Sequence, residues 1–474
     1  MKPMNKTLLA LLVSAVSMGA YAEGDEVKTK GGFQIKSEDG LFEAKIGGRI
    51  HLDGNYFTQE DHQAKPGTPD ISADKQDANS TLFLRRAYLT LTGRAYDFEY
   101  KFENDFAAQS GNSGSGFREM WIMKKVEGHN VRLGQAKPYR GMEELTSSNE
   151  IDFMERPFAT ASGIYTSGRQ FQTGVFVDNV IDNFGYGASI FQTRTLDSTQ
   201  TTEGRGYNGR VYYVPIQEEG TIVHVGTSFT AEDTPLVTTA ASTNGDIALN
   251  GAIDTISVRA AGRNNGLQAS LLQGATKNRI FAGEFAVRHG QFYLQSEFAQ
   301  GKFDAVRQGS GKGDYSNTAN AGVVDLGQQD VSTYYVQGSY MLTDHYKPYD
   351  FKKGVFKSPK ISGGEGAIEL RARFDVIQNK DFLSVSDVTS ASASSASPIA
   401  CGSSGGSAAT SSAPATCTFK ATATPTKVTQ ITLGATYFPT PNTRFMLEYV
   451  DGKVEEGNLD KKAALVQARA QFNF

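Results

Sequence analysis

The stretch Ile368–Asp375, IELRARFD, alternates without a break: Ile368, Leu370, Ala372 and Phe374 are apolar or small, and Glu369, Arg371, Arg373 and Asp375 are charged. An extended strand sends successive side chains to opposite faces, so this segment has one greasy face and one fully charged face. The same period runs through Phe42, Ala44, Ile46, Gly48, Ile50 and Leu52 against Glu43, Lys45, Gly47, Arg49, His51 and Asp53. It returns at Phe98–Glu103 and ends the chain, where Val466, Ala468, Ala470, Phe472 and Phe474 oppose Gln467, Arg469, Gln471 and Asn473. A soluble barrel would bury the apolar face. A barrel in lipid turns that face outward and lines a wet lumen with the charged one.

Two features select the lipid orientation. Lys2 and Lys6 precede an uncharged run, Thr7–Gly19, and then the small-x-small site Ala20-Tyr21-Ala22, the form of a cleaved secretory leader over residues 1–22. That run is too short for a spanning helix. The second feature is the rhythm of the connections. Short breaks such as Ala95–Asp97, Val126–Asn130 and His289–Gly290 alternate with long ones such as Thr58–Ser80, Ala107–Gly116, Pro138–Gly168, Ala231–Arg279 and Val376–Val428. Thr343–Glu365 takes a short-turn place but is too long for a simple turn. The count predicts an all-β, transmembrane, antiparallel up-and-down barrel of 16 strands over residues 23–474, or 18 if Ile253–Ala261 and Leu267–Leu272 join the wall.

Composition agrees. The chain has 50 Gly, 29 Phe and 20 Tyr beside one Trp and 14 Pro, a balance suited to strands and turns. Losing Lys2 and Lys6 with the leader takes the net charge from −4 to −6. That excludes a globally basic nucleic-acid binder, and any attraction for anions must come from locally placed cations. Cys401 and Cys417 share a Ser/Ala/Thr-rich stretch and, in an exported chain, are expected to form a disulfide. No metal or cofactor site is expected. The six histidines fall in no H-E-x-x-H pair, and no G-x-S-x-G elbow occurs, so no catalytic residue is assigned.

Four runs carry a family resemblance: KIGGRIHLDGNYF (Lys45–Phe57), FLRRAYLTLTGRAYDFEYKFENDF (Phe83–Phe106), GMEELTSSNEIDFMERPF (Gly141–Phe158) and ELRARFD (Glu369–Asp375). Together they resemble the phosphate-selective porin O and P family. The resemblance implies an outer-membrane, homotrimeric channel whose third long loop, Pro138–Gly168, folds inward to narrow the pore. Independently, the final alternating strand, ending in Phe474 with Phe472 on the same face, resembles the terminal signature by which bacterial outer-membrane barrels are handed to the barrel-assembly machinery, and lipid and lipopolysaccharide are the expected surround.

A narrow lumen strips water from a solute, and fixed cations with hydrogen-bond donors compensate an anion for that loss. The matching cations are Lys45, Arg49, Arg85, Arg86 and Arg156, joined by Arg118, Lys137 and Arg140 near the inward loop. Arg85 has the wrong parity for the lumen unless a bulge intervenes. The chain also departs from the family pattern. Glu143 and Glu144 follow Gly141-Met142 where phosphate-specific members carry a lysine, and Ala231–Thr255 holds no Lys or Arg. Small anions, phosphate among them, are the expected solutes. A general or nutrient porin without phosphate selectivity, or a surface adhesin, are the alternatives.

Overall fold

The computed structural model describes residues 26–28, 33–62, 81–107, 116–165, 170–193, 204–233, 238–239, 248–249, 256–262, 267–272, 274–308, 323–362, 364–388 and 418–474. The expected leader and both cysteines, Cys401 and Cys417, lie outside the described residues.

Sixteen strands form the wall. They are β1 (Phe42–His62), β2 (Thr81–Ala95), β3 (Phe98–Asp105), β4 (Phe117–Val126), β5 (His129–Ala136), β6 (Gln172–Ile181), β7 (Phe184–Gln192) and β8 (Arg205–Gln217). The second half is β9 (Thr221–Asp233), β10 (Ala275–His289), β11 (Phe292–Gln308), β12 (Val323–Met341), β13 (Ala367–Asn379), β14 (Thr426–Thr440), β15 (Thr443–Glu456) and β16 (Leu459–Asn473). Each pairs antiparallel with the next, and β16 returns to β1 with Arg469 opposite Asp53, so the sheet closes. An even count follows, because the first and last strands of an antiparallel closure must run in opposite directions.

Side-chain polarity along the wall is inverted relative to a soluble protein. In β13, Leu370 is 46% exposed while its neighbours Glu369 and Arg371 are 1% and 4% exposed. Ile50, Leu84, Phe285, Ile431, Leu447 and Phe472 are likewise exposed, and His51, Glu297, Gln337, Arg444 and Gln467 are buried. With apolar side chains outside and charged ones inside, the barrel fits a hydrocarbon surround and no aqueous one.

The C-terminus is clamped to the first strand: Gly48 N–H donates to Phe474 O at 2.9 Å and Phe474 N–H to Gly48 O at 3.1 Å. Gly48 allows that approach, since a Cβ there would lie 2.4 Å from the Phe474 ring. Below it, where β16 has ended, Phe33–Lys36 pairs with Glu43–Ile46 of β1.

The segments 256–259 and 268–272 pair with each other and not with the wall, which settles sixteen strands against eighteen. Their apolar side chains have another partner: Val258, Ala269 and Leu271 join a buried cluster with Phe303, Val450, Val454 and Leu465. Several ladders outrun the alternation. β11 and β12 pair as far as Gln308 and Val323, and Leu383–Val388 pairs with Thr418–Ala423 inside the expected 376–428 connection. Along the extended part of β11 the polarity inverts, with Lys302 and Asp304 exposed and Phe303 and Ala305 buried, while the backbone ladder runs on unchanged. Within 343–365, Tyr349–Asp350 and Val355–Phe356 make a small hairpin. Its Val355 and Phe356 pack with Met142, Val214, Ile222 and Tyr293.

Candidate functional site

Segment 137–165 leaves β5 with only two short helical turns, Met142–Leu145 and Phe158–Ala161. Its irregular backbone therefore needs outside partners for its N–H and C=O groups. The charged face of the wall supplies them. Arg444 donates to the carbonyls of Ile151 (2.5 Å) and Asn149 (3.2 Å), Arg469 to Met154 O (2.9 Å), and Arg373 to Glu155 O (2.9 Å). Wall carboxylates accept the complementary N–H groups: Met154 to Glu448 (2.9 Å), Phe158 to Asp375 (2.7 Å) and Glu143 to Glu297 (3.1 Å). The alternating run Ile368–Asp375 thus contributes Arg373 and Asp375 as anchors of this segment.

A buried lysine joins the two irregular connections. Lys347, from 343–365, pairs with Asp152 of segment 137–165 and with Glu369 of β13 at 3.0 Å. Gln337 adds a hydrogen bond to Asp152 at 3.1 Å. Ser358 N–H donates to Glu150 at 2.6 Å beside it.

Among the eight cations expected to form an anion path, five are tied to carboxylates: Arg49 to Glu103 (2.8 Å), Arg85 to Glu155 (2.7 Å), Arg118 to Asp105 (2.9 Å), Arg140 to Glu232 (2.8 Å) and Arg156 to Glu143 (3.3 Å). Arg85 reaches Glu155 because the β1–β2 register slips between His51/Arg86 and Leu52/Leu84, leaving Arg85 as the extra residue of a bulge. Arg86 is buried beside His51 Nδ1 at 3.4 Å. Lys45 is exposed on β1, opposite Gln34 and Thr92.

Lys137 donates to the carbonyls of Glu144 (2.6 Å) and Thr146 (3.4 Å) and has no carboxylate within ion-pair distance among the described residues. Burial pushes its ammonium down to about 7; the charges of Arg156 and Lys353 add to the shift, and Glu144 and Glu119 oppose it. Glu143 is pushed up, chiefly by burial, with Arg156 opposing. Glu144 Oε2 accepts from Gln170 at 3.3 Å.

Lys137 borders a cavity of about 610 Å³ at the rim that carries the short connections. Tyr139 and Leu145 close it on one side and Lys352 and Lys353 of the 343–365 connection on another. Lys101, Lys125, Arg132 and Arg210 line its walls, with Glu99, Glu119 and Asp178. Lys101 is spoken for by Glu119 at 2.5 Å, Arg132 by Asp178 at 3.5 Å, and Arg210 by Glu284 at 2.8 Å. Lys125, Lys137, Lys352 and Lys353 make no ion pair among the described residues. Sequence parity could have found Lys101, which shares the polar face of β3 with Glu99 and Glu103. Nothing local could have found Lys352 and Lys353, which a connection brings there.

A closed wall, apolar outside and charged inside, with a cation-bearing cavity at one rim, defines a membrane channel of the porin class. Residues 50–474 match the family model of phosphate-selective porin O and P, so the chain belongs to that family and is an outer-membrane porin. It is 25% identical over 395 residues to Porin O of Pseudomonas aeruginosa, covering 80% of this chain and 83% of that one. Similar solved structures include an anion-selective porin from Comamonas acidovorans, at 13% identity and TM-score 0.49, covering 91% of this chain and 100% of that one. Another is the outer-membrane channel DcaP of Acinetobacter baumannii, at 13% identity and TM-score 0.48, covering 93% and 99%.

Proposed function

We propose that this porin, a channel and not an enzyme, passes small anions, phosphate among them, by passive diffusion with a moderate preference over cations. The observation that carries this is the set of four ammonium groups, Lys125, Lys137, Lys352 and Lys353, that border one cavity without an ion-pair partner among the described residues. Net positive charge at a constricted water path raises local anion concentration and excludes potassium. The five paired arginines act differently: a neutralised pair is a dipole, and these mostly hold the lining in place. This favours a general anion preference over strict phosphate selectivity, as does Glu144, whose carboxylate accepts from Gln170 and makes no ion pair among the described residues.

In this reading, the described residues 138–165 of the third long loop form the inward constriction, supported by their bonds to the charged face of β11, β13, β15 and β16. Lys45 and Arg86 form the approach to it, and Arg49, paired with Glu103, holds its Ser148. A homotrimer is supported by the low wall at β3–β7, where β3 and β5 have 8 residues each. Tilted by roughly 40°, such a strand covers about 20 Å of a band roughly 25 Å tall, which suits contact with another copy better than contact with lipid. Elsewhere lipid and lipopolysaccharide meet the apolar face, and Phe474 is the residue handed to the barrel-assembly machinery. Reversal potentials in planar bilayers under a potassium chloride gradient test the proposal. The expected sign is that of an anion-preferring pore; a cation-selective potential would overturn it, and an absence of conducting steps would favour an adhesin.

A further inference from the structure

The cavity below Lys137 is not lined as an inorganic anion alone would require. Beside the unpaired ammonium groups stand Trp121, Met123, Leu145 and Val180, with the rings of Tyr139, Tyr186 and Tyr212 around them. The Arg132 guanidinium lies 4.8 Å from the Trp121 ring centroid, and Arg210 lies 4.8 Å from that of Tyr212. Both arginines are positioned by partners, Arg132 by Asp178 and Tyr139, and Arg210 by Glu284 and by the carbonyls of Lys353 (2.7 Å) and Gly354 (2.9 Å). The aromatic and apolar wall is therefore fixed rather than collapsible.

A hydrated phosphate or chloride gains nothing from hydrocarbon surface. Apolar area beside unpaired cations stabilises only a solute that carries both characters, an anionic group for the lysines and a flat or greasy body for the wall. The volume of about 610 Å³ accommodates a single-ring solute with water to spare. Resting on the anion-channel reading above, we propose that this chamber is a subsite for organic anions with an aromatic body, such as an aryl phosphate. Lys137, Lys352 and Lys353 take the anionic group, and Trp121 with Met123 and Leu145 takes the ring.

The test uses the full protein in planar bilayers, with phenyl phosphate and inorganic phosphate compared as blockers of chloride current. Half-covering one ring is worth about tenfold in affinity, or about 1.4 kcal/mol. Phenyl phosphate is therefore expected to block at about one-tenth the concentration of phosphate, and W121A is expected to bring that ratio to about one. Equal block by the two in the unsubstituted protein, or a ratio unchanged in W121A, overturns the subsite. The chloride reversal potential in the same membranes separates this from the channel reading: anion selectivity with equal block sinks the subsite alone, and cation selectivity sinks the reading beneath it. Should W121A fail to assemble, Trp121 still reports, because it is the chain's one tryptophan. Its fluorescence should be quenched saturably by 4-nitrophenyl phosphate, with a midpoint matching that compound's own block of chloride current. Quenching that only rises linearly overturns the proposal.

Discussion

Lys137 makes the anion preference of this channel depend on pH across the neutral range. Its ammonium titrates at about 7, so about nine in ten copies are charged at pH 6 and about one in ten at pH 8. The direction follows from the sign: a lysine lowered by burial is cationic below its pKa and neutral above, so raising pH removes positive charge from the cavity. A unit charge roughly 6 Å from a passing ion, in water-like surroundings, acts with about 0.7 kcal/mol. That is about threefold in anion concentration and about threefold in the opposite sense for potassium. The chloride-to-potassium permeability ratio should then fall up to about tenfold between pH 6 and pH 8. The assay is the reversal potential under a fixed gradient, stepped through this range. Lys137→Arg keeps its charge throughout and should hold the low-pH ratio at pH 8. A flat profile in the unsubstituted protein refutes the reasoning, as does an unchanged step in Lys137→Arg, which would assign the titration to another group.

Glu144→Gln removes the acid beside Lys137, so the anion-to-cation permeability ratio at pH 6 should rise up to about tenfold by the same arithmetic, read from reversal potentials. Lys347→Met leaves Asp152 and Glu369 as a buried acidic pair without the cation they share and should destabilise the protein by on the order of 3–5 kcal/mol, seen as a lower temperature of heat-induced unfolding in detergent. Deleting Phe474 removes both backbone bonds to Gly48 and should cut the amount of folded barrel recovered from outer membranes, measured by heat-modifiable electrophoretic mobility. Intact mass should place the mature start at Glu23, and alkylation without prior reduction should leave Cys401 and Cys417 unmodified.

The barrel is legible along the chain itself. Period-two alternation is a local property of each strand, and the order of short and long breaks carries the topology, so Ile368–Asp375 and its counterparts specify wall, orientation and count. Parity also placed Arg49 and Arg86 on the charged face. What alternation could not give is the partner of each charge. Arg49, Arg118 and Arg140 look alike in the sequence as free cations, yet the fold sets each against a carboxylate 13 to 92 residues away. Arg85 was legible only conditionally, since a bulge needs the neighbouring strand's register to be seen. Lys352 and Lys353 lie in a connection with no period at all, and only closure of the barrel carries that connection to Lys137. The sequence by itself determined a lipid-facing barrel with a charged interior, because each residue's face follows from its own neighbours along the chain. The tertiary structure alone decided which cations stay unpaired and where they gather, because charge neutralisation depends on distances through space that no spacing along the chain encodes.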